Sequence, residues 1–150
     1  MSEQQRFAAA SGDLSLILAA IGTACKAISS ATRRAGLLGI YGLDGSTNST
    51  GDDVKKLDLL SDEIWCNSLR HTRRVAMLVS EERADPVVVE GAEAARYMAS
   101  FDPLDGSSNI DCNVSVGSIF GILRRPAAAV GSRPTLAEVL QPGSALVCAG

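Results

Sequence analysis

Residues 101–111 read Phe-Asp-Pro-Leu-Asp-Gly-Ser-Ser-Asn-Ile-Asp, two carboxylates three residues apart around a proline, then a run of small polar residues. Asp followed by Pro predicts a type I turn that aims Asp102 and Asp105 at one point, with the Leu104 carbonyl between them. Two hard oxygen anions and a carbonyl suit a Mg²⁺-like cation, and the amides of Gly106, Ser107 and Ser108 suit a phosphate. Alone, such a segment is an ordinary surface turn, so the chemistry depends on partners elsewhere.

Two other segments supply them. The apolar run 75–79 closes on Ser80, Glu81 and Glu82, the pattern of a buried strand whose end delivers carboxylates. Set beside Asp102 and Asp105, Glu81 completes a cluster able to hold two divalent cations; by themselves, Glu81 and Glu82 only solvate a strand end. Val54, Leu57, Leu60 and Ile64 recur at helical spacing. Asp52 and Asp53 then fall near the helix start, where orphan amides and the dipole account for both. Asp58 is either an ordinary helix acid or a base facing the cluster.

The order GDDVKKLD, LVSEE and FDPLDGSSNIDCNVSVGSIFGI resembles the Mg²⁺-dependent sugar phosphatases, and within them the fructose-1,6-bisphosphatase family. The Asp-Pro-Leu-Asp-Gly-Ser turn is shared by the wider superfamily, inositol phosphatases included. The extension Ser-Asn-Ile-Asp and the run 115–121 are narrower. The resemblance implies metal ligation by Asp52, Glu81, Asp102, Asp105 and the Leu104 carbonyl. It makes Asp58 and Glu82 the pair that takes the proton of the attacking water. Asp105, Gly106, Ser107 and Ser108 then bind the substrate's 1-phosphate. The implied cofactor is Mg²⁺, with Mn²⁺ and Zn²⁺ as alternatives, and the implied substrate is fructose 1,6-bisphosphate. A sedoheptulose bisphosphatase, an inositol-phosphatase-like enzyme and a non-catalytic AMP- or partner-binding fragment are the competing readings.

Ser11 is an N-cap for a long helix with Leu14, Ile17, Leu18, Ile21, Cys25 and Ile28 on one face; Arg33 and Arg34 precede Gly36, which ends it. As a capped core helix this is fully explained. The resemblance adds an AMP inhibitory site made of Ser11, Gly12, Asp13, Leu14 and Ser15 with Arg96, Tyr97 and Arg124. Helix amides and arginines suit a phosphate there. Residues 36–51 are Gly-, Ser- and Thr-rich and predict a polar loop. In the family this is a moving loop that brings in Asp52, with Tyr41 as its anchoring aromatic.

The chain has 150 residues, 46% of them hydrophobic, and a net charge of −3, which suits one domain with a sizeable core. No apolar run approaches a membrane span and no basic stripe marks a nucleic-acid surface. The start shows no signal-peptide pattern, and four cysteines without a Cys-x-x-Cys pair suit reduced thiols, so the expected location is cytoplasmic. His71, the sole histidine, is read as a surface residue among arginines. Strands are expected over 75–80, 87–89, 96–101 and 115–123, with another from 144. Two helices followed by strands indicate an α+β fold, with two long helices packed on one face of a mixed β-sheet. That agrees with the layered sugar-phosphatase fold. The resemblance also implies a homotetramer, and makes the chain the N-terminal half of a longer enzyme whose C-terminal sugar-binding half is absent.

Overall fold

Three isoleucines and an alanine, at positions 17, 21, 28 and 24, set one edge of the first helix, α1 (Asp13–Leu38). The computed structural model describes residues 11–38, 43–47, 53–112 and 114–150. Ile17, Ile21, Ala24 and Ile28 are buried, whereas Leu18, expected on that face, is exposed and Ala24 takes the inward place. Ser11 caps from one residue before the helical turn: its Oγ accepts from the Asp13 amide at 3.4 Å, and the Gly12 carbonyl accepts the first helical bond from Leu16. Gly36 does not end the helix, which runs on to Leu38. The segment Asp13–Arg34, with mean hydropathy 1.6, is long and apolar enough by length and composition to cross a membrane. This corrects the expectation that no run approaches a span. Lys26 and scattered Ser and Thr hide its apolar average from a search for an unbroken run.

The stretch read as a loop contains a strand. β1 (Leu43–Thr47) pairs antiparallel with β2 (Asp53–Lys55), with Leu43 opposite Lys55 and Thr47 opposite Asp53. Backbone pairing across the intervening residues overrides a composition with little strand propensity. Asp53 therefore lies in a strand, and the second helix, α2 (Lys56–Thr72), begins later than expected. Tyr41 and Asp52 lie outside the described residues.

A five-stranded mixed sheet follows, from β3 (Val75–Ser80), β4 (Val87–Val88), β5 (Tyr97–Asp105), β6 (Gly117–Arg124) and β7 (Leu146–Ala149), in the order β4-β3-β5-β6-β7. Only β3 and β5 are parallel, with Ser80 opposite Phe101. On one face Trp65 of α2 stacks on Phe101, ring centroids 4.8 Å apart, and leans on Phe120. Stacking of this kind adds about 0.5–1.5 kcal/mol beyond burial. On the other, Met77, Met98 and Leu123 are covered by Val139 and Ala145 from the connection between β6 and β7. At Gly121 a Cβ would stand 2.8 Å from Leu146 Cδ2, so a side chain there would push the Leu146 side chain aside.

That connection is organised by Arg125, whose side chain is 0% exposed. Its guanidinium donates to both Glu138 carboxylate oxygens (2.7 and 3.3 Å) and to the carbonyls of Glu93, Ala95, Ala129 and Ser132. Glu138 also closes a capping box with Thr135. The Arg125 hydrogen bond, then the Thr135 amide and the nearby charge, outweigh burial and hold the Glu138 carboxyl below its ordinary 4.5. Its stabilising contribution is complete above that ordinary value and is lost as pH falls through the depressed folded one. Arg125→Leu should lower stability by about 3–5 kcal/mol, the usual cost of leaving one member of a buried pair alone. Urea unfolding followed by Trp65 fluorescence would measure this loss, and the variant should also lose part of the wild type's acid sensitivity.

Candidate active site

Parallel pairing puts the C-terminal ends of β3 and β5 at the same edge of the sheet. The Glu81 amide continues the ladder, donating to the Phe101 carbonyl at 3.1 Å, so Glu81 and Glu82 leave β3 beside Asp102. The two carboxylates of β5 are not joined by a type I turn. The strand continues through Asp105 and bulges: Asp102 faces Ile119 and Asp105 faces Gly117, two residues opposite one. Pro103 lacks a ladder N–H and is tolerated at such a bulge, and its carbonyl accepts from Ser118 Oγ at 2.8 Å. Asp102 Oδ1 accepts from the Leu104 amide at 2.9 Å, while the Leu104 side chain is buried. Asp105 is exposed, and Gly106 at φ 81 makes the left-handed step into the 3-10 helix Ser107–Cys112.

Helix α2 enters from the side. Asp58, only 2% exposed, sits in its first turn. Asp62, one turn on, receives Arg83 Nε and Nη2, both at 2.6 Å. Sequence reasoning missed this pair; its signal was an Asp on the buried helix face four residues after Asp58, which requires a cation. Cys66 donates to Asp62 Oδ1 at 3.6 Å, and burial, then the Asp62 charge, push its thiol up to about 11, away from nucleophilic chemistry.

Like charge sets the character of the cluster. Burial, followed by the charges of Asp58, Glu81, Asp102 and Asp62, raises the Glu82 carboxyl to about 7. Asp102 is raised to about 6 by burial against the opposing Leu104 hydrogen bond, with Glu81 and Asp105 adding to the rise. A carboxyl that changes protonation near neutrality is suited to proton transfer. Glu81 and Asp102 line a cavity of about 510 Å³ with Arg83, Ile119 and Phe120 among its walls. Thus Asp58, Glu81, Glu82, Asp102 and Asp105 share one neighbourhood.

At the opposite end of β5 stands the second expected group. Arg96 Nη2 donates to Asp13 Oδ2 at 3.1 Å, and Arg124 donates to the Tyr97 hydroxyl at 3.3 Å from the facing register position. Gly12 and Leu14 flank Asp13 at the helix start, and Ser15 is exposed. Arg74, not foreseen, also pairs with Asp13 at 3.2 Å. Burial of Asp13 is outweighed by Ser11, Arg96 and Arg74, which hold its carboxyl below the ordinary value. His71 is exposed, as expected, and all four cysteines are free.

Residues 1–150 match the family described as fructose-1-6-bisphosphatase, N-terminal domain. Fructose-1,6-bisphosphatase 1 of Mus musculus is 49% identical over 99% of this chain and 43% of its own length. The cytosolic fructose-1,6-bisphosphatase of Arabidopsis thaliana is 43% identical over 100% of this chain and 43% of its own. The fold matches the holo crystal structure of Leishmania major fructose-1,6-bisphosphatase with a TM-score of 0.85 and 38% identity, covering 93% of this chain and 44% of that one. The chain belongs to the fructose-1,6-bisphosphatase family and has its α+β fold, two helices on a mixed five-stranded sheet. It spans about two fifths of the length of the curated relatives it matches.

That family implies a divalent metal cofactor. The donor chemistry fits one: burial and neighbouring carboxylates raise the proton affinity of Glu82 and Asp102, and Glu82 Oε2 is buried with no hydrogen-bond partner among the described residues. Among those residues, no three His, Cys, Asp or Glu side chains are arranged to hold an ion. The carboxylates share a negative field rather than a finished coordination sphere. Asp58→Asn should remove the largest charge contribution to the raised Glu82 carboxyl and move its titration below 7 toward the ordinary carboxylate range. Carboxyl ¹³C NMR across a pH series would read the shift.

Proposed function

We propose that this chain is the N-terminal, metal- and AMP-binding part of an enzyme that hydrolyses the 1-phosphate of fructose 1,6-bisphosphate to fructose 6-phosphate and phosphate. The observation that carries the reading is the Glu82 carboxyl, poised near 7 beside Asp58 where β3 and β5 end together. Membership in the family supports the choice of substrate.

In this reading Glu81, Asp102, Asp105 and the Leu104 carbonyl, with Asp52, would hold Mg²⁺. When bound, the cation supplies neutralising charge to the phosphoryl oxygens and to the leaving oxygen. Glu82, backed by Asp58, accepts the proton of the attacking water, for which the ionised form is required. Gly106, Ser107 and Ser108, after the bulge, orient the 1-phosphate, and Asp105 flanks it. Arg83 keeps Asp62 neutralised, so that one acid fewer repels the incoming substrate. Ser11, Gly12, Asp13, Leu14 and Ser15 with Arg96, Tyr97 and Arg124 form the AMP site. There the Asp13 carboxylate holds Arg96 until a phosphate replaces it. The whole enzyme is a cytoplasmic homotetramer acting in gluconeogenesis.

The test is Mg²⁺-dependent phosphate release from fructose 1,6-bisphosphate. It is run on the 150-residue chain and on the same chain joined to the C-terminal part of a curated relative. Activity is expected in the extended protein. Silence in a folded extended protein would favour a binding fragment without turnover. Asp102→Ala should cut turnover by at least about a hundredfold, as loss of a principal electrostatic contact does, while AMP still protects the protein from thermal unfolding. Arg96→Gln should do the reverse, weakening AMP inhibition about tenfold or more, the scale of one lost charge-assisted bond, at unchanged basal turnover.

A further inference from the structure

A second polar cavity, of about 480 Å³, lies on the far side of β3, between the end of α2 and edge strand β4. Arg70, His71 and Arg73 line it, with Val87, Val88 and Val89 as an apolar wall and Glu90 the sole acid. Its size falls within the range of small-ligand sites, roughly 300–1,000 Å³. Neither Arg70 nor Arg73 makes an ion pair among the described residues, whereas nearby Arg74 is engaged by Asp13.

Arg73 is held there by an unusual backbone. It is the single non-glycine residue with positive φ among those described, at 53°. Its amide donates to the Arg70 carbonyl at 3.2 Å, closing the helix end. That conformation is costly for a side chain with a Cβ, and glycine is the ordinary occupant. The arginine instead turns its Nη1 over Gly91, 3.6 Å from where a Cβ would stand. His71 Nδ1 lies 2.6 Å from the Asn67 carbonyl, which can only accept, so Nδ1 carries a proton. Complementing the helix dipole accounts for one or two cations at this end. It does not account for a strained arginine set over an apolar wall.

We infer that this cavity binds a small organic dianion, a phosphate monoester or a dicarboxylate, held by Arg70 and Arg73 with its organic body against Val87–Val89. Guanidinium groups in pairs match the oxygens of either anion. The valines favour an ester or a carbon chain over a bare ion.

The chain's single histidine and single tryptophan make the test direct. Its one set of imidazole resonances is followed by ¹H NMR at fixed pH and constant ionic strength. The titrants are inorganic phosphate, phenyl phosphate and succinate. Saturable shifts are expected, with phenyl phosphate binding several-fold tighter than inorganic phosphate; succinate against phenyl phosphate distinguishes the two anion sources. Arg70→Gln should weaken binding tenfold or more. Arg73→Gly should do the same while the Trp65-monitored melting temperature stays level or rises, since glycine suits that backbone. Arg34→Gln, an equal charge change on α1, should leave binding unaltered. Shifts that grow linearly without saturating, or that weaken equally in Arg34→Gln, would overturn the proposal.

Discussion

The parallel register of β3 and β5 is the constraint from which the site follows. Once Ser80 stands opposite Phe101, the residues that follow must emerge at one edge, and here they include Glu81, Glu82 and Asp102. The mutual repulsion that results must be borne by packing elsewhere. Trp65 stacked on Phe101 and Asp62 locked to Arg83 pin α2 against that edge, and α2 in turn delivers Asp58. Apolar contact thus holds like charges together, the usual way a fold stores electrostatic tension for later use by a cation or substrate.

Much of this was legible from residue order. The acids after an apolar run and the Asp-Pro-Leu-Asp-Gly-Ser segment located the site, and β3 begins and ends where its pattern predicts. What escaped were features decided by distant partners. Asp-Pro reads locally as a turn, yet β6 draws the segment into a bulge. Arg125 reads as a loop residue, because nothing nearby in sequence announces that four carbonyls and Glu138 will surround it. Leu18 and Ala24 exchanged places because periodicity gives a stripe but not its centre. The strand Leu43–Thr47 has no apolar alternation to reveal it.

Strand β5 also joins the two charged ends of the molecule. Tyr97 stands at its start beside Arg124, and Asp102 lies five residues on, roughly 16 Å along an extended chain. Between them Met98, Ala99 and Phe101 are buried. A segment packed this tightly leaves little room for one end to shift independently of the other.

The Arg125 cluster bears on the order in which the chain assembles. β7 is joined to β6 by the longest connection within the main sheet, and the entropy lost in closing a loop rises with its length. Contact between Arg125 and Glu138 gathers most of that connection into a compact knot, and wherever it forms before the strand only a short tether remains to Leu146. A contact made in that order would turn one distant encounter into two near ones.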